Sequence, residues 1–334
     1  MTPLPPPLPT PSRVLSIPGF SIGHGSDLSG MTGVTAILCP DGALAAAEVR
    51  GSATGTRQFD SLVLEHHVGS RAHAVVLAGG SGFGLSAADP VVQHLAAHGK
   101  GFVVGDLGVV PLVPTAILFD LGFGDPKARP GRELGEAALA EAVGAAAGSE
   151  VAVGSVGAGT GATVGKVLGP ECGMKGGFGF ASLTAPDGPT VAAAVAVNAF
   201  GDVRDLSGQL VAGCRAGADS RELVGADRVL AALPPDAAHP WEGNTTLAVV
   251  MTDVALTKAA AMKVCRMAFG GFYRTLVPAL SLFDGDLVMV LSRGERQASV
   301  NQVGVLAERA LAEAILSAVR EADGFGLLPA VRDL

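Results

Sequence analysis

Short apolar runs of strand length recur along the chain and alternate with longer stretches of helical period. The runs are rich in Val, Ala and Leu and predict strands at residues 74–77, 151–156, 191–197, 247–251 and 287–291. Helices are predicted at residues 85–98, 132–147, 221–233, 257–270 and 302–320, with Thr257 as an N-cap. This pattern predicts an α/β protein, because each helix needs a sheet against which to bury its apolar face.

The composition predicts a large core and a buried subunit interface. Hydrophobic residues make up 49% of the 334 residues and charged residues only 16%, so the interior is large relative to the wetted surface. The length allows two ordinary domains or one large layered domain. The net charge of −8, without a basic stripe, argues against a nucleic-acid partner. No apolar run reaches about 18 residues, so no membrane-spanning helix is predicted.

The start of the chain differs in composition from the rest. Residues 1–12 are rich in Pro and contain no Lys or Arg, so they lack the basic start of a signal peptide. We therefore predict a flexible arm at residues 1–16, followed by a single domain at residues 17–330. The cysteines form no CxxC pair, which predicts buried thiols and a cytoplasmic location. They are Cys39, Cys172, Cys214 and Cys265.

A small polar turn leads directly into the apolar run 247–251. The turn reads Glu242-Gly243-Asn244-Thr245-Thr246. On local pattern alone it is a turn before a strand, preceded by a Pro-containing linker at residues 233–243. A threonine hydroxyl becomes a nucleophile when a base removes its proton, and one such base is the threonine's own α-amine after a cut before it. That amine has an ordinary pKa of about 7.7–8.0, so it can act near neutral pH.

Other motifs match known binding signatures only in part. The glycine-rich stretch 157–166 lacks the acidic partner of a dinucleotide site and the Ser or Thr of a phosphate loop, so nucleotide binding is not predicted. His94 and His98 have metal-ligand spacing without the Glu of a zinc peptidase, which favours a surface or packing role. Ser81 lies in a glycine cluster, but Phe83 replaces the second glycine of a nucleophile elbow, so a backbone-shaping role is predicted.

Two carboxylates flank a glycine in Asp284-Gly285-Asp286. The segment lies between the strand-like runs 279–283 and 287–291, and on pattern alone it is a hairpin turn. The alternative is functional, because two carboxylates that point together can orient an amine and its hydroxyl.

Several segments, taken in order, resemble the DmpA-type aminopeptidase family, which also contains the nylon-oligomer hydrolases. The likeness covers residues 17–324, from near the N-terminus almost to the end of the chain. It is carried by residues 77–85 (LAGGSGFGL), 157–166 (GAGTGATVGK), 174–177 (MKGG), 197–202 (VNAFGD), 243–253 (GNTTLAVVMTD) with 255–258 (ALTK), and 284–286 (DGD).

The resemblance implies a four-layer α/β/β/α sandwich, similar in architecture to the N-terminal-nucleophile hydrolases. It also implies a chain that cuts itself between Asn244 and Thr245, giving fragments 1–244 and 245–334. Thr245 would be the nucleophile and its α-amine the base, while Asn198 would bind the oxyanion.

The remaining site residues also follow from the resemblance. Lys166, Asp284 and Asp286 would form a charged network, and no metal or organic cofactor is implied. The substrate pocket would be formed by Gly80, Ser81, Phe119, Gly159 and Gly161. Some relatives have a Tyr in the segment that contains Phe119, and Phe119 cannot donate a hydrogen bond as that Tyr would.

The implied substrate is a small peptide, an amino-acid amide or an ω-amino-acid oligomer, and the implied assembly is a homo-oligomer, expected to be a tetramer. Three alternatives to an aminopeptidase stay open. They are an endo-acting amidase on linear ω-amino-acid oligomers, an acyltransferase of the ornithine acetyltransferase type, and a non-catalytic scaffold.

Overall fold

The computed structural model describes residues 8–234 and 243–334. Residues 1–7 of the predicted arm and most of the predicted linker therefore lie outside the described residues. The α-helices are α1 (Asp60–Val63), α2 (Asp89–Ala97), α3 (Arg132–Gly144), α4 (Ala226–Ala232), α5 (Lys258–Thr275) and α6 (Val300–Arg320). The strands are β1 (Ser21–Asp27), β2 (Thr32–Val49), β3 (Gly55–Arg57), β4 (Arg71–Ala78), β5 (Phe102–Val103), β6 (Val109–Val110), β7 (Thr115–Ile117), β8 (Thr163–Val164), β9 (Met174–Lys175), β10 (Gly177–Thr184), β11 (Thr190–Asn198), β12 (Asp202–Arg204), β13 (Leu210–Ala212), β14 (Thr245–Val254), β15 (Leu276–Val277) and β16 (Leu287–Arg296).

One long strand joins the two halves of the main sheet. The strand order is β10-β11-β14-β16-β2-β4-β7-β3, and β1 also pairs with β2. The C-terminal part of β2 pairs with β16, and its N-terminal part pairs with β1 and β4, with an irregularity after Leu38. Most neighbours are antiparallel, but β14 and β16 are parallel. Thus β2 carries the hydrogen-bonded ladder from one layer to the next.

Alternating side chains of β14 face two different cores. Leu247, Val249 and Met251 lie in the core between the sheet halves. Ala248 and Val250 lie in the core formed with α5 and α6. Because successive side chains of a strand point to opposite faces, an almost continuous apolar run indicates a strand that is buried on both sides.

The other half of the sheet is arranged in the same way. Val75 and Leu77 of β4 face the core between the sheet halves. Ala74 and Val76 face a separate core that includes residues of α2 and α3, such as Leu139. The order of layers is therefore helices α5 and α6, sheet, sheet, helices α2 and α3. The predicted α/β/β/α sandwich is confirmed.

Helices α3 and α5 begin where the sequence indicated, and the other predicted helices begin at different residues. Thr257 caps α5 by accepting a hydrogen bond from the N–H of Ala260 at 3.2 Å, and Ser299 caps α6 in the same way. The predicted helix 85–98 is divided into a 3₁₀ helix, Ser81–Ala88, and α2, which begins with Asp89-Pro90. The predicted helices 132–147 and 221–233 are shortened to α3 and α4.

Two predicted strands are wrong. Residues 151–156 form no ladder: Val151 donates to the Arg13 carbonyl oxygen at 3.0 Å, and Gly154, whose φ is +93°, pairs with Phe178 through an isolated bridge. Residues 279–283 are not a strand, because β15 ends at Val277 and Pro278 has no N–H to continue the pairing. The segment 284–286 is therefore not a hairpin turn. It leads into β16, which runs parallel to β14.

The packed domain begins earlier than residue 17. Ser12 exchanges backbone hydrogen bonds with Ser182 at 2.9 and 2.8 Å, and Leu15 is buried. The predicted arm boundary at residue 16 is therefore wrong, because residues 12–15 already pair with the domain. All four cysteines are buried and free, as predicted. Within residues 8–234 and 243–334, no helix has the length and apolar character needed to cross a membrane.

Candidate active site

Thr245 is the first residue of β14 and is 2% exposed. On one side it pairs with Asn198, the last residue of β11. On the other side, a parallel bridge between Asn244 and Asp284 continues the register of β14 and β16, so Thr245 stands opposite Gly285. A Cβ atom on Gly285 would lie 2.7 Å from the Thr245 hydroxyl oxygen. The absence of a side chain at Gly285 therefore leaves room for this hydroxyl.

The peptide bond between Asn244 and Thr245 has two donors at its carbonyl. The N–H of Gly285 donates to the Asn244 carbonyl oxygen at 3.0 Å, and the Thr245 hydroxyl donates to the same oxygen. These donors polarise the carbonyl, and the hydroxyl oxygen lies beside the carbon that it would attack. The Asn244 side chain is buried, and among the described residues neither of its polar atoms has a hydrogen-bond partner.

Asn198 is held at both ends of its side-chain amide. Its Oδ1 accepts hydrogen bonds from Lys166 Nζ at 2.9 Å and from the Thr163 N–H at 3.0 Å. Its Nδ2 donates to the Phe119 carbonyl oxygen at 2.8 Å. Because only Oδ1 can accept and only Nδ2 can donate, these contacts fix which way the amide points. Among the described residues, one N–H of Nδ2 has no acceptor and remains for a further one.

Lys166 is buried and contacts neutral groups. Besides Asn198 it donates to the Thr163 carbonyl oxygen at 2.9 Å. Burial lowers the pKa of Lys166 to about 7, and the charge of Asp284 opposes that shift. In the described parts of the chain, Lys166 forms no ion pair with Asp284 or Asp286, and Asp284 acts on it through its charge without direct contact.

Asp284 anchors the chain before β16 to the end of β11. One carboxylate oxygen accepts the N–H of Phe200 at 3.1 Å, and the other accepts the N–H of Ser281 at 3.0 Å and its hydroxyl at 2.5 Å. Burial raises the pKa of Asp284, while its hydrogen bonds with Ser281 and Phe200 oppose the change.

Asp286 anchors the same segment to the start of β14. It accepts the N–H of Thr246 at 2.7 Å and the N–H of Leu280 at 3.2 Å. Burial, followed by the charge of Asp284, raises the pKa of Asp286 well above its ordinary value. Across the described residues neither carboxylate is hydrogen-bonded to Thr245 in this uncut chain. The two carboxylates hold the backbone near Thr245.

A cavity of about 340 Å³ lies beside this cluster. Thr163 and Lys166 line it and also hold Asn198, so one wall of the cavity supports the candidate site. Phe119 lines it too and packs against Gly243, where an added Cβ would lie 2.3 Å from the Phe119 ring. The other lining residues are Asp120, Gly122, Phe123, Gly124, Pro170, Glu171, Leu327 and Leu328.

The other four predicted pocket residues do not line this cavity. Gly80 and Gly161 lie behind Asp120: the Gly80 N–H donates to its carboxylate at 2.6 Å, and a Cβ on Gly161 would lie 2.7 Å from it. Gly159 packs against the backbone of Phe178, and Ser81 starts the 3₁₀ helix. These residues shape the backbone near the cavity.

Two buried charges near the cavity were not among the predicted site residues. They are Asp120, which is 3% exposed, and Lys175, which is 0% exposed. A single charged residue inside an apolar or glycine-rich run could have indicated them. The Gly285 N–H could not be predicted in this way, since a backbone donor leaves no mark in the sequence.

The predicted surface role of His94 and His98 agrees with their contacts. Their rings lie 4.2 Å apart, and His98 Nδ1 lies 2.8 Å from the His94 carbonyl oxygen. No group of three or more His, Cys, Asp or Glu side chains placed to hold a metal ion occurs in the described residues.

Proteins similar to this chain are named as aminopeptidases and as an amide-oligomer hydrolase. The chain is 37% identical to an uncharacterised aminopeptidase of Mycobacterium leprae, over 95% of this chain and 92% of that protein. It is 28% identical to a 6-aminohexanoate-oligomer endohydrolase of Paenarthrobacter ureafaciens, over 90% of this chain and 84% of that protein.

Solved structures share the fold. An L-aminopeptidase D-Ala-esterase/amidase from Ochrobactrum anthropi, described as a variant of the Ntn-hydrolase fold, matches with a TM-score of 0.68 and 19% identity, over 96% of this chain and 89% of that one. A β-aminopeptidase of a Burkholderia species matches with a TM-score of 0.67 and 20% identity, over 95% and 89% of the two chains.

The fold and these matches define a hydrolase of peptide and related amide bonds. The chain belongs to peptidase family S58, whose model matches residues 13–327. The predicted membership of the DmpA-type aminopeptidases is thereby confirmed.

Proposed function

We propose that this protein cuts itself between Asn244 and Thr245 and then hydrolyses small aminoacyl amides with Thr245 as nucleophile. The observation that carries the proposal is the Asn244 carbonyl, which lies between the Thr245 hydroxyl and the Gly285 N–H. In the first step the Thr245 oxygen bonds to the carbonyl carbon and the carbon–nitrogen bond breaks. The proton of the hydroxyl passes to the leaving amine, and water then hydrolyses the ester.

The buried side chain of Asn244 supports cleavage at this bond. A buried polar group without a partner costs about 1–3 kcal/mol. After the cut, Asn244 becomes a chain end and can leave the site, so that cost is removed. The α-amine of Thr245 is set free in the first step, when the carbon–nitrogen bond breaks.

In turnover, the freed amine takes the proton of the Thr245 hydroxyl as the oxygen attacks the substrate carbonyl. The Gly285 N–H and the second N–H of Asn198 Nδ2 are the donors for the oxyanion. Lys166 keeps Asn198 oriented, and Asp284 and Asp286 hold the backbone beside Thr245. The leaving amine takes the proton, and water releases the acyl group.

The substrate is proposed to enter through the 340 Å³ cavity. Its apolar lining, including Phe119 and Leu327, suits a hydrocarbon chain, and Asp120 and Glu171 supply carboxylates for an ammonium group. A small peptide or amino-acid amide is the first candidate. A linear ω-amino-acid oligomer is the second, because a relative of the chain is an endohydrolase of 6-aminohexanoate oligomers.

We also propose a cytoplasmic homo-oligomer, in keeping with the sequence-based expectation of a tetramer. Free buried cysteines suit a reducing compartment. The β5–β6 hairpin exposes apolar side chains that suit a subunit contact, with Val103 68% exposed and Leu107 91% exposed.

A panel of substrates tests the proposed activity. Wild-type protein and Thr245→Ala are incubated with L- and D-aminoacyl amides, a β-peptide, a 6-aminohexanoate oligomer and acetyl-ornithine with an acceptor amine. We expect amide hydrolysis by the wild type and none by Thr245→Ala. Acetyl exchange without hydrolysis would indicate an acyltransferase, and no turnover of any substrate would indicate a scaffold.

A further inference from the structure

Lys175 is buried in β9, two residues before β10 of the main sheet begins, and its ammonium hydrogen-bonds to the backbone. Its ammonium donates to the carbonyl oxygens of Gly159 at 2.8 Å, Ala162 at 2.7 Å and Gly176 at 3.1 Å. It also lies 5.6 Å from the centre of the Phe123 ring, which lines the cavity. An ammonium group has three donors, and here each one has an acceptor.

The carbonyls of Gly159 and Ala162 belong to the glycine-rich segment 159–163, which we call the wall of the candidate site. The Gly176 carbonyl belongs to the segment 174–177. Ala162 directly precedes Thr163, whose N–H and side chain hold Asn198 and Lys166. The backbone of Thr163 also pairs with Lys175 itself, between β8 and β9. Lys175 thus fixes this wall through both its backbone and its side chain.

A buried charge is expensive unless the surrounding groups replace its water. A methionine of similar length at this position would remove the ammonium donor from three buried carbonyls. The Ala162 carbonyl would keep the Gly176 N–H at 2.8 Å and the Gly159 carbonyl the Ala162 N–H at 3.3 Å, so the wall would be held by fewer and weaker contacts. The contact between Thr163 and Asn198 is the first to be affected, since the Thr163 N–H and the Ala162 carbonyl belong to the same peptide group.

Lys175 also acts on Lys166 through its charge. Burial is the main cause that lowers the pKa of Lys166 to about 7; Asp284 and Asp120 oppose it, and the positive charge of Lys175 adds to it. Burial likewise lowers the pKa of Lys175 to about 7, opposed by Asp120 and Asp323. Removing the charge of Lys175 should therefore raise the pKa of Lys166.

We propose that Lys175 is a positioning residue of this site: it fixes the backbone of the 159–163 wall and, through Thr163, orients Asn198 and Lys166. The proposal rests on the proposed function, in which Asn198 binds the oxyanion. It assigns a role to the MKGG segment at residues 174–177, which the mechanism above does not use.

The test compares Lys175→Met and Lys175→Gln with Lys258→Met. Lys258 is a matched control, because its ammonium also donates to two backbone carbonyls, those of Ala45 and Ser61 at 2.7 and 2.8 Å. It is the first residue of α5 and follows the C-terminal end of β14, whereas the candidate site lies at the start of β14. The glutamine variant loses the charge but keeps an N–H donor. It therefore provides a folded variant for the test if the methionine variant does not fold.

For both Lys175 variants we expect kcat to fall roughly 10- to 100-fold in protein that has already been cut, with a smaller change in KM. Any inflection of the kcat profile that follows the titration of Lys166 should move to higher pH, because Lys166 holds its proton more firmly without the neighbouring charge. Lys258→Met should lower the melting temperature yet leave kcat and the inflection unchanged. If a folded Lys175 variant matches Lys258→Met in kcat and in pH profile, the proposal is wrong.

A second readout does not need activity. The ¹⁵N side-chain amide signals of Asn198, assigned by their loss in Asn198→Ala, should shift in Lys175→Gln and stay in place in Lys258→Met. Signals that stay in place in both variants would overturn the proposal even if the wild type hydrolysed no amide. A wild type that is inactive while the signals shift would instead contradict the proposed function alone.

Discussion

Gly285 determines how closely the nucleophile can approach the bond that it is proposed to cut. Its N–H donates to the Asn244 carbonyl oxygen at 3.0 Å, and its missing side chain leaves room for the Thr245 hydroxyl. A methyl group there would lie 2.7 Å from that hydroxyl oxygen and 2.7 Å from the Ala53 carbonyl oxygen. Real carbon–oxygen contacts are longer, so Gly285 has a steric role as well as a donor role.

Gly285→Ala should therefore slow self-cleavage by about tenfold or more, since it displaces the hydroxyl while keeping the N–H. A time course on a denaturing gel measures the effect. Gly217→Ala is the control, because a Cβ at Gly217 meets nothing within 4 Å. Cleavage of Gly285→Ala at the rate of the control would mean that this space is not needed.

The segment that leads into β16 is the element that joins the parts of the site. Asp284 ties it to the end of β11, and Asp286 ties it to the start of β14. Both strands end or begin at a residue of the site, so a shift of this segment would move Asn198 relative to Thr245.

Asp284→Ala and Asp286→Ala should each lower kcat by at least about 10²-fold, the lower end for positioned acid–base groups. The measurement uses protein that is already cut, so that maturation and turnover are separated. Asp205→Ala is the control, because Asp205 also accepts backbone N–H groups, from Ser207 and Gln209 at 2.9 and 3.0 Å, in an exposed turn. Wild-type turnover in both variants would mean that the two carboxylates serve the fold and not the reaction.

Elements with a clear apolar period were predictable, and those set by single backbone positions were not. The runs at 247–251 and 287–291 became β14 and β16, because strands buried on both faces need continuous apolar residues. The run at 151–156 is also rich in Val, but it contains Gly154, whose φ of +93° prevents a continuous ladder. The sequence also placed Asp284 and Asp286 together, but not which N–H groups they would accept, because those partners lie on other strands.

At the scale of the whole molecule, the proposed cut divides one sheet between two fragments. Strands β14 and β16 would belong to the fragment 245–334, yet β14 pairs with β11 and β16 pairs with β2, both from the fragment 1–244. Residues from both fragments also share the core between the sheet halves. Neither fragment can bury its apolar faces alone, so the two are expected to stay together.

Size-exclusion chromatography with light scattering tests this expectation and the proposed assembly. The two fragments should elute together, in a particle several times heavier than the 33.2 kDa chain, and four times heavier for a tetramer. Fragments that separate without denaturant would contradict the shared sheet. A particle of one chain mass at micromolar concentration would contradict the homo-oligomer.

The mass of the purified protein under denaturing conditions tests the central claim most directly. The account predicts that the wild-type chain resolves into residues 1–244 and 245–334, of about 24 and about 9 kDa by their share of 33.2 kDa, with Thr245 as the new N-terminus. Thr245→Ala should remain a single chain of full mass. A wild-type chain that stays whole after long incubation and still hydrolyses amides would contradict the account, because the base of the mechanism would never be formed.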